Sequence, residues 1–186
     1  PMPNLSDIFG SATLRLYHSL LNVERGKIEN VNVEKGVLHF NNISKKGLAI
    51  AHFELPIKGR VEEILKVIDN KPLGYPSLYG VKPDSVLGDA DTLLTLDFPL
   101  IKELKMKDVV FDVQANIENL YIPKLSNELA LSEGEMILTV NRDGIKSEGN
   151  IVLNGIDFEA QWLEDFTSST DFPTTYIISG DVEGNE

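Results

Sequence analysis

Strict alternation of apolar and polar residues is the feature that most limits what this chain can become. Val109, Phe111, Val113, Ala115 and Ile117 point one way in an extended segment, and Val110, Asp112, Gln114, Asn116 and Glu118 point the other. Met136, Leu138 and Val140 repeat the pattern, as do Ile156, Phe158, Ala160 and Trp162. Side chains alternate across a strand with period two, so each segment has one apolar face and one wet face. A row of such strands makes a sheet with a large apolar surface, and what covers that surface decides what the protein does.

The alternation predicts further strands at Ala12–Tyr17, Lys27–Val33, Val37–Asn41 and Leu48–Glu54, with Glu34-Lys35-Gly36 and Ser44-Lys45-Lys46-Gly47 as turns. Asp91–Phe98 places Thr92, Leu94, Leu96 and Phe98 on one face, and Pro99 ends it where a missing N–H is tolerable. Leu120–Ile122 and Leu129–Leu131 read as brief extra strands. Asp143-Gly144 and Asn154-Gly155 mark tight hairpins between Glu135–Asn141, Ile145–Leu153 and Ile156–Leu163, and Thr174–Val182 is the last strand. "EKGVLHFNNISKKGLAIAHF" and "SEGEMILTVNRDGIKSEGNIVL" form a loose internal echo.

The period changes once. Val61, Ile64, Leu65, Val67 and Ile68 follow the stripe of an amphipathic helix, and Asp69-Asn70 with Pro72 end it. The turn-rich stretch to Pro83 makes residues 59–84 a helix-and-loop insertion, with a short helical turn near Ser77–Tyr79. A helix of about eleven residues is ~16 Å long, too short to roof so many strands. The sheet must fold over onto itself or hold a ligand. The expected fold is mainly β: an antiparallel, curved or groove-like sheet of about ten strands, with one helical insertion at about 60–70. Residues 1–186 read as a single β-rich domain, expected to be an excised fragment of a larger protein.

The net charge of −12 opposes binding to nucleic acid and to anionic lipid headgroups, which need clustered Lys and Arg, although a short basic patch remains around Lys102, Lys105 and Lys107. The absence of Cys removes disulfides, thiolate zinc sites and a cysteine nucleophile. No apolar run approaches the roughly 20 residues that a membrane-spanning helix needs, and the first residues lack the features of a signal peptide. Asp89/Asp91 and Asp157/Glu159 are spaced to share a strand face, as a glycosidase acid/base pair could, but they also fit the wet side of alternating strands in an acidic protein. Gly88-Asp89-Ala90-Asp91 lacks the later Gly and Glu of a calcium loop. His18, His39 and His52 lie apart without metal-ligand spacing. The expectation is a protein without catalytic residues, metal or cofactor.

The segments "GDADTLLTLDFPL", "VVFDVQANIENLYIP", "GEMILTVNRDGIKSEGNIVLNGIDFEAQWLEDF" and "TTYIISGDV" resemble the signature segment of AsmA-like proteins, in the YhdP-like branch of large bacterial envelope proteins. Trp162, Glu164 and Phe166 match the Trp-x-Glu-x-Phe ending of that pattern, and Asn154-Gly155 its Gly-marked turn. The resemblance covers roughly Gly59 to Val182; it departs from the family in lacking the usual membrane-anchoring helix. It implies a periplasmic, non-enzymatic segment whose parent is anchored in the inner membrane. That segment would supply an apolar β-groove for phospholipid transport to the outer membrane and for outer-membrane biogenesis. The implied partners are phospholipid acyl chains and neighbouring β segments of the parent.

The candidate groove wall, which would be core in a closed fold, is Phe111, Val113 and Ala115, then Leu138 and Val140. Ile151 and Leu153 follow, with Phe158, Ala160 and Trp162 last. The helix around Ile64 and Leu65 is expected to plug or cap one end of the sheet. A structural or interaction module with a closed core and no ligand is the main alternative, and a carbohydrate-active enzyme is the third.

Overall fold

The computed structural model describes residues 5–44, 49–70, 74–78, 81–125, 128–167 and 173–180. It contains ten strands in chain order. These are β1 (Leu5–Leu14), β2 (His18–Ile28), β3 (Val31–Asn41), β4 (Ile50–Arg60) and β5 (Leu87–Pro99), then β6 (Val110–Ile122), β7 (Leu131–Asn141), β8 (Gly144–Leu153), β9 (Ile156–Asp165) and β10 (Thr174–Ser179). All ten form one sheet in the order of the sequence, and every pairing is antiparallel. Substantial strand–strand contacts occur only between sequence neighbours. The sheet is therefore an open meander, neither a closed barrel nor a two-layer sandwich, and β1 and β10 are its two edges.

Helix α1 (Val61–Ile68) leaves β4 and packs Ile64 and Val67 against a buried cluster of Val31, Val33, Leu55, Ile57 and Leu94 on β3–β5. It is eight residues long, shorter than the sequence suggests, and covers one end of three strands. Polar ties fix its seat. Glu63 accepts from Asn30 in the β2–β3 turn at 2.9 Å, and Lys66 bridges Glu63 and Asp84 at 2.8 Å each. Asp69 accepts from the hydroxyl of Ser77, at 2.6 Å, in a single helical turn, α2 (Tyr75–Leu78). Of the turn expected near Ser77–Tyr79, Tyr79 lies outside the described residues. A second buried cluster, Leu120, Leu131, Met136, Ile151, Leu153 and Ala160, lies on β6–β9 and is flanked by Val86 and Leu129 from the segments leading into β5 and β7.

Several strands carry β-bulges near the helix-bearing end, β1 at Asp7 (φ 52°) among them. Lys35 on β3, Asn119 on β6 and Glu133 on β7 have φ of 55°, 53° and 51°, and the register shifts beside each. A bulge inserts one residue and so reverses the parity of a strand. On β3 the apolar face passes from odd residues, Val31 and Val33, to even ones, Leu38 and Phe40. On β6 it passes from Phe111, Val113, Ala115 and Ile117 to Leu120 and Ile122. Pro56 lies in a central strand, where its missing N–H would ordinarily break the ladder. It faces the interruption between Val33↔Ile57 and Val37↔Glu54, where β3 makes no regular pair.

These bulges correct three expectations. Glu34-Lys35-Gly36 is a bulge inside one strand and not a turn. The turn lies earlier, at Glu29-Asn30, so Lys27–Val33 is the end of β2 plus the start of β3. Leu120–Ile122 belongs to β6, and Leu131 opens β7. The internal echo has a physical basis, because Lys35-Gly36 and Glu133-Gly134 form the same kind of bulge, each followed by a buried glycine. Residues 45–48, part of the expected turn before β4, and 181–182, the end of the expected last strand, lie outside the described residues.

A Cβ at Gly134 would stand 2.8 Å from the Leu120 Cβ, closer than packed carbons allow. Gly134→Val is expected to destabilise the fold by about 1–3 kcal/mol. Glu133→Gly, which suits the positive φ, should stay within about 1 kcal/mol of the parent. Denaturant melts of both variants check this, and a Gly134→Val protein as stable as the parent would contradict the packing.

Candidate functional site

The register brings the apolar residues into rows that cross the sheet. Ile57, Thr92, Ala115, Leu138, Ser147, Trp162 and Tyr176 are successive cross-strand partners from β4 to β10. Leu55, Leu94, Val113, Val140 and Ile145 make the adjacent row. The ten residues singled out from the sequence all lie on this one face. Phe111, Ala115, Ile151, Leu153 and Ala160 are buried, and Val113, Leu138, Val140, Phe158 and Trp162 are half-buried.

The face continues through β3–β5, a half that the candidate list omitted. Phe53 there meets Phe40 and Phe98 edge-to-face, at centroid separations of 5.6 and 5.1 Å. The Thr92–Phe98 alternation signalled part of this half, whereas the parity change in β3 hid the rest. Among the described residues α1 is the only helix longer than one turn, and it covers only the helix-bearing end of β3–β5.

Three polar groups interrupt the apolar surface. Thr92 and Ser147 are buried on it. The Trp162 ring stacks on Tyr176 at 6.3 Å, and its indole N–H is shielded from solvent without an acceptor among the described residues. A buried donor left unpaired costs about 1–3 kcal/mol. At the β8–β10 edge an open cleft of about 930 Å³ is lined by Ile151, Phe158 and Ile178 and by the carboxylates Glu133, Asp157 and Glu159.

The opposite face is polar and carries the remaining candidates. Asp91 pairs with Lys58 at 2.8 Å, and Asp89 lies opposite Arg60, so this carboxylate pair serves a charge ladder between β4 and β5. His52 belongs to the same ladder. Its Nδ1 lies 2.8 Å from Asp97 and its Nε2 3.2 Å from Glu54, and His39 stands beside it at 6.2 Å between ring centres. No group of three or more His, Cys, Asp or Glu among the described residues could hold a metal ion. No described helix is long and apolar enough to cross a membrane.

Sequence reasoning valued Asn141-Arg142-Asp143-Gly144 only as a turn. Arg142 has a separate task, since its guanidinium donates to the carbonyls of Val109 and Lys107 and so holds the β5–β6 connection against the β7–β8 hairpin. An Arg in a turn gives no hint of a carbonyl 33 residues away.

Comparison with known proteins adds no relative: no protein-family model, curated protein or solved structure matches the chain.

The Glu54 and Asp97 hydrogen bonds raise the His52 pKa above its ordinary 6.5. A raised folded-state pKa stabilises fully below the unfolded value and loses its effect as pH rises through the folded value. His52→Gln should therefore lower the melting temperature at pH 5.5 and have little effect on it at pH 8.5. Equal losses at both pH values would show that His52 acts by packing alone.

Proposed function

We propose that the apolar face is a track for acyl chains, and that the protein is a non-enzymatic segment of an AsmA-like envelope protein that moves phospholipid between the inner and outer membranes. The observation that carries this reading is the broad apolar face of a ten-stranded open sheet, over which the described structure lays only α1, at one end. Acyl chains need a continuous dry surface and no specific polar contacts, while their headgroups can stay in water. The proposed place of action is the periplasm, with the parent protein anchored in the inner membrane. The edges β1 and β10 would pair with neighbouring β segments of that parent, because exposed ladders of N–H and C=O groups accept a further strand.

Trp162 is the only tryptophan in the chain and lies on the proposed track, so its emission reports occupancy directly. Phospholipid with brominated acyl chains is expected to quench it, and lipid of the same headgroup without bromine is not. Val113→Asp, on the apolar face, should weaken the quenching about tenfold or more, because a buried charge on that face must be desolvated. Gln114→Asp, on the polar face of the same strand, should leave it unchanged. Undiminished Trp162 emission with brominated lipid, in protein whose cooperative melt shows it folded, would sink the proposal.

A further inference from the structure

Of the turns that leave the sheet at the end opposite α1, the first three lie side by side. His18, Asn41, Ile50 and Pro99 are successive cross-strand partners, so the β1–β2 turn, the start of the β3–β4 connection and the β5–β6 connection emerge from one row. Neighbouring strands are about 4.8 Å apart, which places successive turns about 10 Å from one another. Their apolar residues are not inside. Leu14 and Leu16 are 74% and 72% exposed, and Tyr17 is half exposed. Ile43, Leu100 and Ile101 continue the exposed series across the next two turns. Large apolar side chains grouped on a rim mark an interaction surface more often than single exposed ones do.

The charge on this rim is opposite in sign to the rest of the molecule. Arg15, Lys102, Lys105 and Lys107 are exposed on the first and third turns; Glu103 is the exposed carboxylate on those turns, Asp108 is half-buried, and Asp143 is exposed on the neighbouring β7–β8 turn. None of the four bases is in a salt bridge among the described residues. Elsewhere Lys58 and Lys66 are each held by carboxylates. The longest of the turns is also fixed in place. Leu100 N–H donates to the Ala49 carbonyl, Lys105 N–H donates to Asp108, and Arg142 grips the Lys107 and Val109 carbonyls.

We propose that this rim docks on the surface of an anionic bilayer, its leucines, isoleucines and tyrosine entering the headgroup boundary and its unpaired bases meeting lipid phosphates. Aliphatic and aromatic tips flanked by Lys and Arg are the composition that an anionic lipid interface selects. The net charge of −12 does not prevent this, because charges more than about 10 Å from the surface are screened at ordinary salt. A bilayer interface answers both features at once, the bases and the exposed apolar tips of Leu14 and Leu16. The surface lies on the turns and not on the apolar face, so it stands apart from the acyl-chain reading.

The test is co-sedimentation of the full chain with vesicles of phosphatidylcholine alone or with about one-third phosphatidylglycerol. The protein is expected to pellet with the anionic vesicles only, and to be released when salt is raised to about 0.5 M. Reversing three exposed charges together (Lys102→Glu, Lys105→Glu and Lys107→Glu) should reduce binding more than about tenfold. Leu16→Ser with Ile101→Ser should weaken it at unchanged charge. Val113→Asp, on the sheet face, should bind vesicles as the parent does while losing lipid quenching of Trp162, which separates this proposal from the acyl-chain track. Absence of pelleting with anionic vesicles overturns the proposal and leaves an acidic protein surface as the rim's partner. Pelleting that is indifferent to lysine reversal also overturns it.

Discussion

The period of two in a β-strand is the constraint on which this structure depends. A sheet without a second layer keeps its apolar residues together only if every strand presents them on the same side, and one inserted residue would send the rest of a strand to the wrong face. The chain contains such insertions in several strands, clearest in β3, β6 and β7. In these three it also switches the apolar residues from odd to even positions, or the reverse, so the face survives the bulge. The bulges gather near the end where α1 docks. There they add local bend and twist, and the two buried clusters of β3–β5 and β6–β9 form beside them.

The other end of the sheet is built differently. Its strands run unbulged into turns, and the residues at those turns are exposed, apolar and, between β1 and β6, basic. The molecule thus has three distinct surfaces. They are an apolar face that crosses all the central strands, a polar face stitched by the Lys58–Asp91 and His52–Asp97 pairs, and a rim of turns whose charge differs from the whole. Each suits a different environment, and the proposed roles follow from that division.

Much of the architecture was legible in the chain. The β6–β9 alternation, the Asp143-Gly144 and Asn154-Gly155 hairpins and the helix after Arg60 all use local rules, and all appear where those rules put them. The ten candidate wall residues share a face for the same reason. Several strand bounds differ at bulges, while Ala12–Tyr17 differs at a turn, because β1 ends at Leu14 and β2 begins at His18. Glu34-Lys35-Gly36 has the composition of a turn, since a residue at positive φ followed by glycine is common to both, and only a partner strand decides between them. That ambiguity split β3 into separate pieces.

Local sequence determined that this protein is a series of antiparallel hairpins with one apolar side, because period and turn chemistry are properties of a few adjacent residues. The tertiary structure alone decided that the strands stay in one open sheet with two free edges. It also decided that α1 covers only one end of three strands, and that Arg142 ties together turns distant in the chain. Those outcomes depend on which hydrogen-bonding partners and apolar neighbours meet across long separations, and no pattern within a single strand encodes that meeting.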